Sequence, residues 1–266
     1  MKLSKSASAF MLALALSIGL GGFLASDRVN AGEPDEWEYD ARVYLWVAAI
    51  SGESSSGGDI DIDFDELWDN LDMAFMGGLT ARKGKWSLMV DPVYLKESGS
   101  EGWEETIPVG PLNVPTDFEG LVKLESWITN VGVGYEVMRT DKSRLDVLAG
   151  ARYLSMDVDV KLDLTDVLTT ASDRVSVSEH NWDAIVGVEG SVDLDDRWSL
   201  LYRGDVGAGD SDFTGNAVAA IAYGFSWGQV IAGYRYLHYE FDDDNVGVLV
   251  NDMDIKGPIL GAQFHF

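Results

Sequence analysis

From Trp37 onward the chain repeats one arrangement: apolar side chains at every second position, in segments of about ten residues divided by polar or glycine-containing breaks. In the first segment Tyr39, Ala41, Val43, Leu45 and Val47 occupy one face, and Asp40, Arg42, Tyr44 and Trp46 the other. A period of two belongs to extended strands, whose successive side chains point to opposite sides. Nine more segments follow, through 71–80, 86–94, 127–137, 145–153, 182–189, 200–206, 217–225, 230–236 and 260–266.

The backs of these strands narrow the choice of fold. A sheet with one face in water would carry freely varied polar residues there. Here glycine alternates with Arg42, Asp91, Arg152, Asp183, Glu189, Arg203, Asp205 and Arg235. A narrow barrel lumen calls for that mixture, since glycine makes room and opposite charges pair inside. On the apolar faces, Trp86, Tyr94, Trp127, Tyr135, Tyr153, Trp182, Tyr223 and Tyr236 stand near strand ends, where amphipathic rings suit a membrane–water interface. The expectation is an all-β, antiparallel up-and-down transmembrane barrel of about ten strands, with eight or twelve as the alternatives if a loop hairpin is miscounted.

Short turns are expected at 82–85, 139–144, 193–197 and 226–229. Longer acidic links are expected at about 51–70, 97–118, 157–177 and 241–252, with a shorter one near 207–213. Alternating short and long links are the pattern of outer-membrane barrels with tight periplasmic turns, and they place both termini on the periplasmic side. The last strand alternates to Phe264 and Phe266. That ending resembles the C-terminal signature read by the barrel-assembly machinery.

Residues 1–31 read as a signal peptide. Lys2 and Lys5 precede an apolar run from 7 to 25, and Val29-Asn30-Ala31 offers a cleavage site before an acidic stretch. The run is also long enough for an uncleaved anchor; the glycines at 19, 21 and 22 favour the peptide. Cleavage would remove Lys2, Lys5, Arg28 and Asp27, leaving residues 32–266 as the barrel with 16 basic and 44 acidic residues, a formal charge of −28. Such a field repels phosphate and excludes nucleic acid as a partner. With no cysteine there is neither a disulfide framework nor a thiolate metal site.

The stretch Phe64-Asp65-Glu66-Leu67-Trp68-Asp69-Asn70-Leu71, continuing to Gly77, with Ala81-Arg82-Lys83-Gly84-Lys85-Trp86 and Asp91-Pro92-Val93-Tyr94-Leu95, resembles a proteobacterial outer-membrane family of small OmpA-like or porin-like barrels. Gly150-Ala151-Arg152-Tyr153 and Gly233-Tyr234-Arg235-Tyr236 fit the same family. The resemblance implies architecture and outer-membrane location, and brings no catalytic residues.

Four patterns suggest chemistry. Asp59, Asp61, Asp63 and Asp65 offer oxygen ligands for weak Ca2+ or Mg2+ binding, or simply a solvated acidic face; Phe64 and Asn70 stand where an EF-hand needs glycine and glutamate. Asp157, Asp159, Asp163 and Asp242-Asp243-Asp244 repeat the theme, so an acidic rim could gather cations that bridge lipopolysaccharide phosphates. Residues 64–71 form an amphipathic helix with Phe64, Leu67, Trp68 and Leu71 on one face, a rim element or a lid. His180 and His238 fall near outer strand ends, and His265 points inward; no motif of an outer-membrane protease or lipid-modifying enzyme surrounds them. The lumen charges either plug the barrel or line a narrow channel. The leading function is therefore a non-enzymatic structural or surface-interaction barrel in contact with lipid and lipopolysaccharide. A small porin-like channel comes second and an outer-membrane hydrolase third.

Overall fold

A computed structural model describes residues 36–54, 59–99, 108–109, 112–113, 120–166, 169–241 and 250–266. The expected signal peptide and the Asp242-Asp243-Asp244 run lie outside the described residues. Ten strands form a closed antiparallel barrel: β1 (Trp37–Trp46), β4 (Leu71–Lys83), β5 (Trp86–Gly99), β8 (Gly120–Arg139), β9 (Ser143–Asp166), β10 (Thr169–Asp193), β11 (Trp198–Gly209), β12 (Phe213–Phe225), β13 (Gly228–Glu240) and β14 (Val250–His265). Each pairs with the next, and β1 pairs with β14, from Asp40 opposite His265 to Trp46 opposite Ile259. Closure satisfies the backbone of both terminal strands, as a sheet immersed in lipid requires.

Five smaller elements complete the described residues. β2 (Ala49–Ser54) continues β1 along β14 and pairs on its other side with β3 (Asp59–Ile62). Helix α1 (Phe64–Asp69) then leads into β4. β6 (Pro108–Val109) and β7 (Leu112–Asn113) form a separate small ladder. The ladder of β1 and β2 is interrupted at Val47 and Ala48, beside Pro258, which has no N–H to give; the Val47 N–H still donates to the Pro258 carbonyl at 2.8 Å.

Most strands run past their expected bounds, and two of these shifts matter for the lumen and the outer face. The first tight turn is Gly84–Lys85, with Gly84 at φ 57°, and β4 runs on through Lys83. Arg82, expected in the turn, is thus a strand residue with its side chain buried in the lumen. The link expected at 157–177 is mostly hairpin: β9 and β10 pair from Val192–Ser143 to Thr169–Asp166. Val158, Val160, Leu162 and Leu164 keep the alternation going between the aspartates. Strands of 24 and 25 residues far exceed the roughly 9–11 needed to cross a bilayer, so this hairpin projects beyond it.

The outer wall carries exposed apolar side chains such as Val43, Leu79, Leu88, Val131, Val186 and Leu260 between two aromatic bands. At the short-turn end, Trp86 packs on Tyr135 with ring centroids 4.9 Å apart and Trp198 on Tyr223 at 4.8 Å. Toward the other end Tyr94 meets Trp127 at 4.5 Å, and Tyr153 meets Trp182 at 4.8 Å. Phe264 packs on Trp227, Phe266 is exposed, and Tyr236 takes its place in the outer band. Trp86 and Tyr94 stand eight positions apart on β5, roughly 27 Å along the strand and about 21 Å along a barrel axis at the usual tilt. That height matches the apolar belt of a transmembrane barrel. Both chain ends of the barrel lie at the short-turn end, where Tyr39 and Phe266 exchange backbone hydrogen bonds of 3.2 and 2.9 Å.

Candidate functional site

The lumen is built in layers, because inward positions of neighbouring strands fall at matched heights. Asp91, Asn130, Arg152 and Asp183 stand side by side in register on β5, β8, β9 and β10. Opposite them, Asp205 and Asn216 are neighbours on β11 and β12.

Arg152 sits at the centre and is 0% exposed. Its Nε donates to Asn130 Oδ1 at 2.8 Å, Nη1 to Thr214 Oγ1 at 2.6 Å, and Nη2 to Asp205. Asp205 also accepts from Arg203 Nε and Asn216 Nδ2, both at 2.9 Å. Asn216 passes the network to Arg235, whose Nε donates to its Oδ1 at 3.1 Å. Arg235 Nη1 then donates to Tyr44 Oη at 3.0 Å and lies 3.6 Å from Asp91, while the Tyr44 hydroxyl donates to Asp91 at 2.7 Å. The chain of contacts runs from β8 across the interior to β1 and β5. A second layer nearer the short turns joins Arg82 to Asp146 at 2.5 Å, with Glu136 held by Arg139 at 2.5 Å.

Of the eight expected lumen charges, Arg152, Arg203 and Arg235 pair with Asp205 and Asp91. Arg42 lies over Gly78, where a Cβ would come within 3.3 Å of its guanidinium. Asp183 and Glu189 depart from the expected pairing. The Asp183 carboxylate accepts the Ser211 N–H at 3.0 Å instead of an arginine. Glu189 faces Arg203 in register but forms no ion pair among the described residues. The buried pair Arg82–Asp146 was missed, since Arg82 reads as part of a basic turn. The alternation of β9, which puts Asp146 on the Arg152 face, was the available signal.

Two residues farther out on the same strands the lumen turns apolar. Asp91 gives way to Val93, Asn130 to Ile128, Arg152 to Leu154 and Arg235 to Leu237, all buried. Trp46 forms the boundary: its ring lies against the Arg235 guanidinium at 4.6 Å. Above it is a cavity of about 90 Å³ walled by Val93, Ile128 and Leu154 and covered by α1, with Phe64, Leu67 and Trp68 of the helix and Leu71 of β4 lining it. The helix expected on the rim is therefore a cover for the outer lumen. Above the cavity wall, Glu97 faces inward on β5 beyond the Tyr94 band; burial, and secondarily the charge of Asp72, push its carboxyl up to about 7.

The remaining candidates fall elsewhere. Asp59, Asp61, Asp63 and Asp65 are all exposed, and among the described residues no group of three or more His, Asp or Glu side chains is arranged to hold a metal ion. Asp157 and Asp159 lie on strand β9, each accepting a serine hydroxyl, from Ser178 and Ser176. His238 Nδ1 is 2.7 Å from Asp254, and His180 Nδ1 is 3.0 Å from Ser155 and 3.1 Å from the Tyr153 hydroxyl. Both histidines therefore have partners of a kind a hydrolase uses. Both stand on the outward face of the wall at the outer aromatic band, with β11 and β12 between their strand pairs. His265 is held by Asp40 at the short-turn end.

The chain matches no family model and no curated protein. Among solved structures it resembles the outer membrane protease OmpT from Escherichia coli, with 8% identity and a TM-score of 0.50 over 86% of this chain and 97% of that one. It also resembles Ail, the attachment invasion locus protein of Yersinia pestis, at 11% identity and a TM-score of 0.34 over 87% and 99%. Neisserial surface protein A follows at 14% and 0.30 over 86% and 95%. The shared property is the fold, that of the outer-membrane β-barrels.

Proposed function

We propose that this chain is a non-conducting outer-membrane barrel of structural or surface-interaction type, with its termini in the periplasm and its long hairpin and acidic elements outside. The observation that carries the reading is the Arg152 network. A guanidinium with no exposed surface, bonded to three strands besides its own, supports a filled lumen at that level. A channel would instead keep such a group hydrated along one side. Ten strands also lie near the size at which side chains fill a barrel.

The exposed aspartates of β3 and α1 supply the surface role. They form a diffuse acidic rim that gathers divalent cations, and through them lipopolysaccharide phosphates. The histidine pairs are not assigned catalytic work, because each sits on the outward wall instead of in a cleft.

Planar-bilayer recording tests the reading. Purified protein is expected to give no steady unit currents at moderate voltage. Reproducible unit currents would favour the porin-like alternative and overturn the plug.

A further inference from the structure

The sheet is not continuous all the way up. β1 pairs with β4 from Trp37–Lys83 only as far as Val43–Gly77. Beyond that point β4 pairs with β5 alone, while the chain of β1 and β2 stays with β14. The Trp46 N–H, which an unbroken ladder would aim at a β4 carbonyl, donates to the Met76 thioether at 3.1 Å. A seam thus opens in the barrel wall.

Its height is set by register. Phe75 stands opposite Tyr94 of the outer aromatic band, so the seam begins just below the level where the bilayer's apolar core ends. Leu45 belongs to both sides of it, being 37% exposed on the outer wall and also a lining residue of the cavity. Exposed Phe75 continues the apolar surface outside. Leu45 and Phe75 thus carry the apolar outer surface up to the seam, beside the cavity.

We propose that this cavity binds the end of a linear alkyl chain, admitted through the seam between β1 and β4. The lining is aliphatic, aromatic and thioether apart from the Ser126 hydroxyl and the indole N–H groups of Trp46 and Trp68, and it holds no charged group to compensate a charge for its lost hydration. Size argues for a chain end over a ring: about 90 Å³ is well below the roughly 150 Å³ of an apolar cavity known to take up benzene. The chain end belongs either to a lipid of the bilayer or to a free alkyl solute.

Bromine quenching of Trp46, taken as wild type minus Trp46→Phe, tests this in phosphatidylcholine nanodiscs. With added 1-bromoalkanes from two to six carbons, quenching should saturate. The affinity should rise about fourfold per methylene until the cavity is full. Ala74→Phe and Ser126→Phe, two independent cavity-filling variants, should abolish the saturable part; if one fails to fold, the other decides. Quenching by nanodisc lipid brominated at its chain ends, without added solute, would identify the lipid as the source. Quenching only by the bromoalkane would identify a free solute. Quenching that never saturates, that is absent from both sources, or that persists equally in the filled variants overturns the proposal.

Discussion

The guanidinium of Arg235 lies 4.6 Å from the centre of the Trp46 ring, and this contact is where the charged and apolar halves of the lumen join. One residue thereby anchors Asn216, Tyr44 and Asp91 on one side and forms the underside of the cavity floor on the other. Arg235→Ala should destabilise the barrel by about 3–5 kcal/mol, because it strips Asp91 of its closest cation. Arg235→Lys keeps the charge but loses the planar stack and the fork of donors, and should lose about 1–2 kcal/mol. Urea unfolding in lipid vesicles, followed by tryptophan fluorescence, measures both.

Arg152 and Asp205 form a buried pair whose members share partners, so their substitutions should not add. Arg152→Met and Asp205→Leu should each lower stability by roughly 3–5 kcal/mol, and the double variant by about 1–3 kcal/mol less than the sum. A double-mutant cycle from the same unfolding assay checks this. Arg152→Ala/Asp205→Ala, which empties the centre of the network, should produce unit currents where the parent gives none.

Glu97 makes stability depend on pH. Its folded carboxyl titrates near 7, pushed up by burial and then by Asp72, while an unfolded glutamate titrates at about 4.3. Between those values the unfolded chain gives up the proton and the folded chain retains it. Stability therefore falls as pH rises through that window and levels off above about 7. Glu97→Gln should match the parent at pH 4 and unfold at higher temperature than the parent at pH 8. Equal melting differences at both pH values would count against a raised carboxyl.

Gly150 faces Gly132 across β8 and β9, and a Cβ at Gly150 would lie 2.0 Å from the Val131 carbonyl oxygen. Gly150→Ala must push two strand backbones apart and should lose about 1–3 kcal/mol. Slower acquisition of the heat-modifiable folded form on gels would report it.

If the acidic rim gathers divalent cations, a chelator should lower the melting temperature of protein purified with lipopolysaccharide. Asp59→Asn/Asp61→Asn should shrink that effect. An unchanged melting temperature would remove cations from the account.

The strand count was legible because alternation is a strictly local signal, and Tyr39 to Val47 shows it without any knowledge of neighbours. Ile128, Leu154 and Leu237 were harder to place. Each adjoins an aromatic of the outer band, namely Trp127, Tyr153 and Tyr236, so inward and outward positions are both apolar there and the period of two fades. The cavity lies where that signal is lost. Similarly, Asp157, Asp159 and Asp163 read as loop because acidity outweighed the valines and leucines between them. Which arginine meets which carboxylate depends on register across several strands, and no single segment contains that information. The partners of Asp183 and Glu189 differ from the expected arginines for this reason.

The rung between Asp40 and His265 joins positions 225 apart in the chain. A ring closed by so distant a pair has no smaller version of itself: any stretch of six or eight strands still shows two raw edges. Partly assembled forms are therefore exposed to adhesion with one another, and closure is expected to be slow and all-or-none, dependent on a surface that shelters those edges until the circle is complete.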